Sequence, residues 1–210
     1  LIKVENIEVF NFEGAVRGMR NPLNSWSKSD SHTETDYANN TTKFVIGEND
    51  LNLMRRLYKA GPEHRKYLRM IHVSMDIIAP DYFFKEFDTY RVGVTENSTS
   101  TMHKLTSKPL TIDCFSLEDM NWEEANAIVE HNEKRRLNYL EDKTEENWRS
   151  LIQGLPMSYN YRRTIDMNYE NVITMIHQRS GHKLSEWRNF VTILKDLPYI
   201  MEIINERIIG

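Results

Sequence analysis

IHVSMDIIAPDYFFKEFDTYRVGVTENSTST, residues 71–101, is the stretch from which the fold can be read. Ile71, Val73, Met75 and Ile77 alternate with His72, Ser74 and Asp76, the period-two pattern of a strand with one buried face. Ala79-Pro80 ends the strand. Proline suits a first helical position, so a helix follows through Phe83, Phe84 and Phe87 and fails near Gly93. Asn97 to Thr101 is too rich in side chains that compete for backbone hydrogen bonds to lie inside a helix.

Upstream, Leu1 to Phe10 reads as a strand with Ile2 and Val4 on one face, and Phe12 to Arg20 as a short helix. Ser25 to Thr42 has almost no apolar anchor, which predicts a mobile loop at about residues 25–45. A helix carrying Leu51, Met54, Leu57 and Tyr58 on one stripe follows, capped by Asn49 or Asp50 and closed by Gly61. Downstream, Asn121 and Glu124 are placed as a capping box for a long helix from Trp122, with Glu130 to Arg136 expected on a solvated face. A helix from Thr144 buries Trp148, Leu151 and Ile152, and Tyr159 to Met167 is extended. Asn168 caps a helix carrying Val172, Ile173 and Ile176, another helix runs through Trp187 and Phe190 to Pro198, and a short one closes the chain. The expected architecture is a single α+β domain over 1–210, a small mixed or antiparallel sheet with several flanking helices.

Composition narrows the function. The 210 residues are 40% hydrophobic and 28% charged, an ordinary globular balance with core enough to need no staples. The longest apolar runs fall far short of a membrane span, and the first residues form no signal-peptide core. The lone Cys114 excludes an internal disulfide and fits a reducing cytoplasm; beside Phe115 it reads as packing rather than as a nucleophile. A net charge of -4 recommends neither DNA nor RNA as partner. No glycine-rich phosphate loop is present, and no cysteine or histidine pair has zinc spacing, so no metal is expected.

Two segments resemble one family. The first is His64 to Lys104, with its strand, Ala79-Pro80, aromatic helix and Asp88 to Thr101. The second is Leu155-Pro156, Asn168-Tyr169, Ile176 to Arg179, His182 and Glu186-Trp187. Their order and spacing are similar to those of the flavin-dependent thymidylate synthases, also called thymidylate synthase complementing proteins, whose signature is R-H-R-x-x-S-x-N-E-x-S-x-R. Ala15-Val16-Arg17 is similar to that family's first helix. The likeness covers roughly residues 1–25 and 50–200.

The resemblance implies FAD as cofactor, NADPH and methylenetetrahydrofolate as co-substrates, methylation of dUMP to dTMP, and a homotetramer. It implies flavin contacts from His64, Arg91 and Asn168, with Tyr90 available to stack. Arg179 would grip and polarise the uracil ring, and Glu96, Asn97 and Thr99 would contact the nucleotide. Each has a structural alternative: a surface ion pair for Arg179, a helix-end histidine for His64, core packing for Tyr90. The signature is also eroded. Thr89 and Tyr90 replace its first Arg-His, Val94 its first serine and Thr101 its last arginine; Glu96-Asn97 inverts Asn-Glu, and Ile152 stands where a further phosphate-binding arginine is expected. At about 1.5–3 kcal/mol per charged hydrogen bond, losing three arginines costs roughly 4–9 kcal/mol, or three to six powers of ten in affinity. Arg162, Arg163, Lys104 and Lys183 are the replacements at hand, or else solvated surface charges. The alternative function is therefore a non-catalytic or repurposed flavin- or nucleotide-binding module on the same fold.

Overall fold

In the decisive stretch the strand and the helix after it form as read, but the helix ends at Phe87, well short of Gly93. Strand β4 (His72–Pro80) buries Val73, Met75, Ile77 and Ala79 in alternation, and Pro80 precedes helix α3 (Asp81–Phe87), which buries Phe83, Phe84 and Phe87. Pro80 is the N-cap rather than the first helical residue, its φ of -72° feeding the helix without needing a donor N–H. The computed structural model describes residues 2–204, so Leu1 of the expected first strand lies outside the described residues.

The other elements follow in order. They are β1 (Lys3–Phe10), α1 (Phe12–Arg20), β2 (His32–Asp36), β3 (Thr41–Val45) and α2 (Glu48–Lys59) before β4. After α3 come β5 (Thr95–Ser98), α4 (Thr101–Lys104), α5 (Trp122–Glu141), α6 (Glu145–Gln153), β6 (Asn160–Asn168), α7 (Tyr169–Arg179), α8 (Ser185–Lys195) and α9 (Ile200–Ile204). Four strands form one sheet in the order β1–β4–β6–β5, and β2 pairs with β3 in a second. Helices with small antiparallel sheets are the expected α+β class.

Contacts divide the chain into two compact units, with the boundary falling inside β1, β4, β5 and β6. The first comprises the described residues up to Asn6, Met75–Arg91 and Glu96–Ile165. Within it Leu105, Leu110, Phe115, Leu117, Ala125 and Leu151 form an apolar cluster, against which Cys114 packs half-buried. Its strands are clasped by one carboxylate: Asp76 accepts from Asn6 (2.9 Å), Arg162 (2.8 Å) and Thr164 (2.6 Å). On α5 the expected solvated face is corrected. Arg136 is buried and forks onto Glu133 at 2.6 and 2.8 Å while also donating to the Thr106 carbonyl, whereas Leu137 and Leu140 are exposed. A charge run says nothing about which of its members finds a partner.

The second unit comprises Ile7–Ser74, Val92–Thr95 and the described residues from Asp166 on. Its core sets Trp187, Phe190, Val191 and Leu194 of α8 with Tyr169, Val172, Ile173 and Ile176 of α7, all buried. The expected loop at 25–45 is corrected here. Trp26–Lys28 is a 3-10 turn and His32–Asp36 pairs antiparallel with Thr41–Val45, in register from His32↔Val45 to Asp36↔Thr41. Asp36 caps the connecting turn by accepting from Ala38 and Asn39, and Asn40 takes a left-handed φ of 51°. Both faces of this hairpin are largely exposed, so no apolar alternation marked it.

The cap of α2 is also corrected. Gly47 is the N-cap, and the free N–H groups of Asn49 and Asp50 donate to Asp30, 2.9 and 3.2 Å away. Asp50 is fully buried instead, accepting on one oxygen from Ser29 Oγ (2.6 Å), Ser31 Oγ (2.7 Å) and the Asp30 and Ser31 N–H groups, and on the other from Arg20 Nε (2.6 Å). Burial pushes its carboxyl up, but the two serines and the Arg20 guanidinium outweigh burial and hold it below the ordinary range.

Candidate functional site

In the first unit a cavity of about 560 Å³ opens where α3, the end of β5, the segment after α6 and the start of β6 meet. Each element reaches it for a local reason. The turn of α3 puts Asp81 and Lys85, four apart, on one face, 3.3 Å from each other. Period-two alternation on the strand leading into β6 puts Tyr159 and Tyr161 on the same side. The chain after β5 stays beside β6 because the Thr99 N–H donates to the Arg162 carbonyl at 2.9 Å, which lays Ser98 to Thr101 along the rim. Ile152 and Leu155 supply an apolar wall. Such a volume, with apolar walls and a few polar groups, suits a small organic ligand.

Behind Tyr161 lies a half-buried polar chain. Tyr161 donates its O–H to Asp81 (3.1 Å) and accepts from Arg163 (2.9 Å). Arg163 also donates to Asp88 at 2.5 Å and to Glu96, and its guanidinium lies over the Phe84 ring, 4.2 Å from the centroid. Burial pushes the Tyr161 phenol up to about 12 against the opposing pull of Arg163. Desolvation would weaken the Arg163 charge, yet bonds to Asp88, Tyr161 and Glu96 raise its pKa. Arg162 is likewise bracketed, by Glu5 and Asp76 at 2.8 Å each. Both arginines read as replacement phosphate ligands are thus held by two carboxylates apiece. Lys104 and Lys183 are exposed.

The remaining expected residues of this unit fall around the same segment. Glu96 is spent on Arg163, Asn97 is exposed, and Thr99 lines the cavity. Tyr90 is buried with its ring 6.4 Å from that of Phe87. Arg91 is exposed, and among the described residues its guanidinium makes one hydrogen bond, from Nε to the Asp88 carbonyl at 2.8 Å. Ile152 and Thr101, the positions where the resemblance leads one to expect arginine, both face the cavity.

In the second unit Asn168 caps α7 through a reciprocal box with Asn171, whose side-chain amide also donates to the Val92 carbonyl at 2.8 Å. Gly93 sits over this cap with φ 76°, and a Cβ there would come within 2.6 Å of Asn168 Nδ2. At the other end of α7, the Arg179 guanidinium lies 4.8 Å from the centroid of the buried Trp187 ring, which His182 meets edge-on. His64 is exposed after a turn in which its N–H donates to the Gly61 carbonyl. Beside it Arg65 pairs with Glu170 at 2.5 Å and lies over the Tyr58 ring, and the Tyr58 hydroxyl is 2.8 Å from His177 Nε2.

Asp81, Lys85, Tyr159 and Tyr161 escaped the sequence reading. The two tyrosines carried a signal, the i, i+2 spacing at the head of a segment read as extended. Lys85 and Asp81 carried one only as a helix pair. Among the described residues no group of three metal-ligating side chains could hold an ion, and no helix is long and apolar enough to cross a membrane.

No protein-family model matches the chain, and no curated protein is significantly similar to it in sequence. Solved structures do match. The chain is similar to thymidylate synthase X (ThyX) from Helicobacter pylori with FAD and dUMP, with TM-score 0.74 and 18% identity over 98% of each chain. A second structure, flavin-dependent thymidylate synthase ThyX from the same organism complexed with FAD and dUMP, gives TM-score 0.73 and 18% identity over 97% of this chain and 98% of that one. At that identity the likeness establishes the fold.

Proposed function

We propose that this chain is a flavin- and nucleotide-binding module on the flavin-dependent thymidylate synthase fold. The observation that carries the reading is the cavity bordered by Ser98 to Thr101, the end of the eroded signature, on a fold matched end to end by proteins solved with FAD and dUMP. His64, Arg91 and Asn168 are assigned to the flavin, and Tyr90 to stacking against its ring. Arg179 is assigned to the ligand's carbonyl edge, and Glu96, Asn97 and Thr99 to the nucleotide side.

The residues suit such a group. The exposed Arg91 keeps its terminal nitrogens for an anion, and Arg179 is oriented by the Trp187 face. A bound flavin would supply hydride chemistry; the protein's part is to bind, orient and place positive charge. Retained methylation of dUMP, with NADPH and methylenetetrahydrofolate, in a cytoplasmic homotetramer is the second reading, favoured by the same end-to-end match. Against it stands the bracketing of Arg162 and Arg163, which leaves neither to replace a lost phosphate arginine.

The visible absorbance of the purified protein, before and after FAD is added and the excess removed, tests binding. Retained flavin, reduced at least tenfold in affinity by Arg91→Ala, is the expected result; a colourless protein that never takes up FAD ends the reading. Rescue of a thymidine-requiring strain that is lost with Arg179→Ala would establish the synthase instead, and light scattering reports the tetramer.

A further inference from the structure

We propose that the cavity between α3, β5 and β6 takes an uncharged, nucleoside-like ligand and discriminates against the corresponding 5′-monophosphate. This rests on the ligand-binding reading above and narrows it: at this cavity the nucleotide ligand of that reading is replaced by its dephosphorylated nucleoside.

The charge on the cavity's walls carries the inference. Its only charged lining residues, among the described residues, are Asp81 and Lys85, and they neutralise each other at 3.3 Å. The next guanidinium inward, Arg163, reaches the cavity only through the Tyr161 hydroxyl and is held by Asp88 and Glu96. Three carboxylates thus face two cations along one connected chain, Lys85–Asp81–Tyr161–Arg163–Asp88/Glu96. A phosphate dianion entering here meets no net positive charge on the lining and no guanidinium fork. Recruiting Arg163, whose own side chain is largely buried, would take it from both Asp88 and Glu96, to which it is already paired.

The rest of the lining suits a neutral ring and its sugar. Tyr159 and Tyr161 offer aromatic surface for a base. Ile152 and Leu155 offer an apolar wall, and Ser98 to Thr101 line the rim with four hydroxyls able to meet sugar hydroxyls and a base edge. One of these is used internally, since Ser100 Oγ accepts from the His103 N–H.

Isothermal titration of the full chain with deoxyuridine, dUMP and inorganic phosphate, beside a separate FAD titration, tests this. Deoxyuridine is expected to bind at least tenfold more tightly than dUMP, with no heat from phosphate. Asp81→Asn, which removes one negative charge without changing shape, should narrow that ratio about tenfold. Ile152→Arg, which adds a cation to the apolar wall, should narrow or invert it. Equal or tighter binding of dUMP by the unaltered protein overturns the proposal. So does the absence of any deoxyuridine binding: with FAD still bound, only this inference falls, and with FAD also rejected, the flavin reading falls with it.

Discussion

Replacing Asp50 by Asn keeps the side chain's shape and removes one charge from a fully buried position in the second unit. The carboxylate accepts five hydrogen bonds, four on one oxygen and one from Arg20 on the other. An amide has one acceptor oxygen, so its NH2 must face either the Arg20 guanidinium or four donors. Either way a cation whose side chain is 5% exposed loses its counter-charge. Breaking a buried pair by changing one partner costs about 3–5 kcal/mol. In a chain of this length, at about 2–4 °C per kcal/mol, that is a fall in Tm of roughly 6–20 °C. Urea unfolding followed by tryptophan fluorescence and circular dichroism measures it. The pH dependence has a definite sign. Because the folded carboxyl lies below its unfolded value, the stabilisation is complete above the unfolded value and disappears as pH falls through the folded one. Below that pH, wild type and Asp50→Asn should converge. A loss under about 1 kcal/mol at neutral pH, against the 3–5 expected of a buried pair, would refute the account. So would an Arg20→Met/Asp50→Leu double variant no more stable than the single one.

Three further outcomes follow from the same physics. Arg163→Met should lose about 2 kcal/mol in urea melts, the scale of charged hydrogen bonds, whereas Arg162→Met, with a side chain 43% exposed, should lose under about 1 kcal/mol; the reverse order would contradict the burial argument. Gly93→Ala should cost more than about 1 kcal/mol by forcing a Cβ into positive φ and against Asn168 Nδ2, while Asn168→Ala should cost about 1 kcal/mol as a lost N-cap. Ultraviolet titration should show one tyrosine, absent in Tyr161→Phe, ionising at about 12 rather than near the ordinary value of about 10. The stability it contributes is full below the unfolded value and lost as pH rises through about 12.

Elements whose instructions are local were legible before any coordinates. The alternation from Ile71 to Ile77, Pro80 ahead of three phenylalanines, Asn121 before Trp122, and Asn168 before Val172 and Ile173 each act within a few residues, where propensity, capping and burial period agree. Spacing between those elements was enough for the fold, which a solved structure matches over 98% of the chain. Several things depended on partners distant in sequence and were settled only by folding. Asp30 caps a helix that begins 18 residues later, Asp50 turns inward to Arg20, a hairpin with two wet faces replaces a loop, and Arg136 leaves an otherwise charged face. The fate of Arg162 and Arg163 belongs to the same class. A one-dimensional pattern reports that a cation is present; whether it is free to meet a ligand depends on which carboxylates the tertiary structure brings to it, and here each received two.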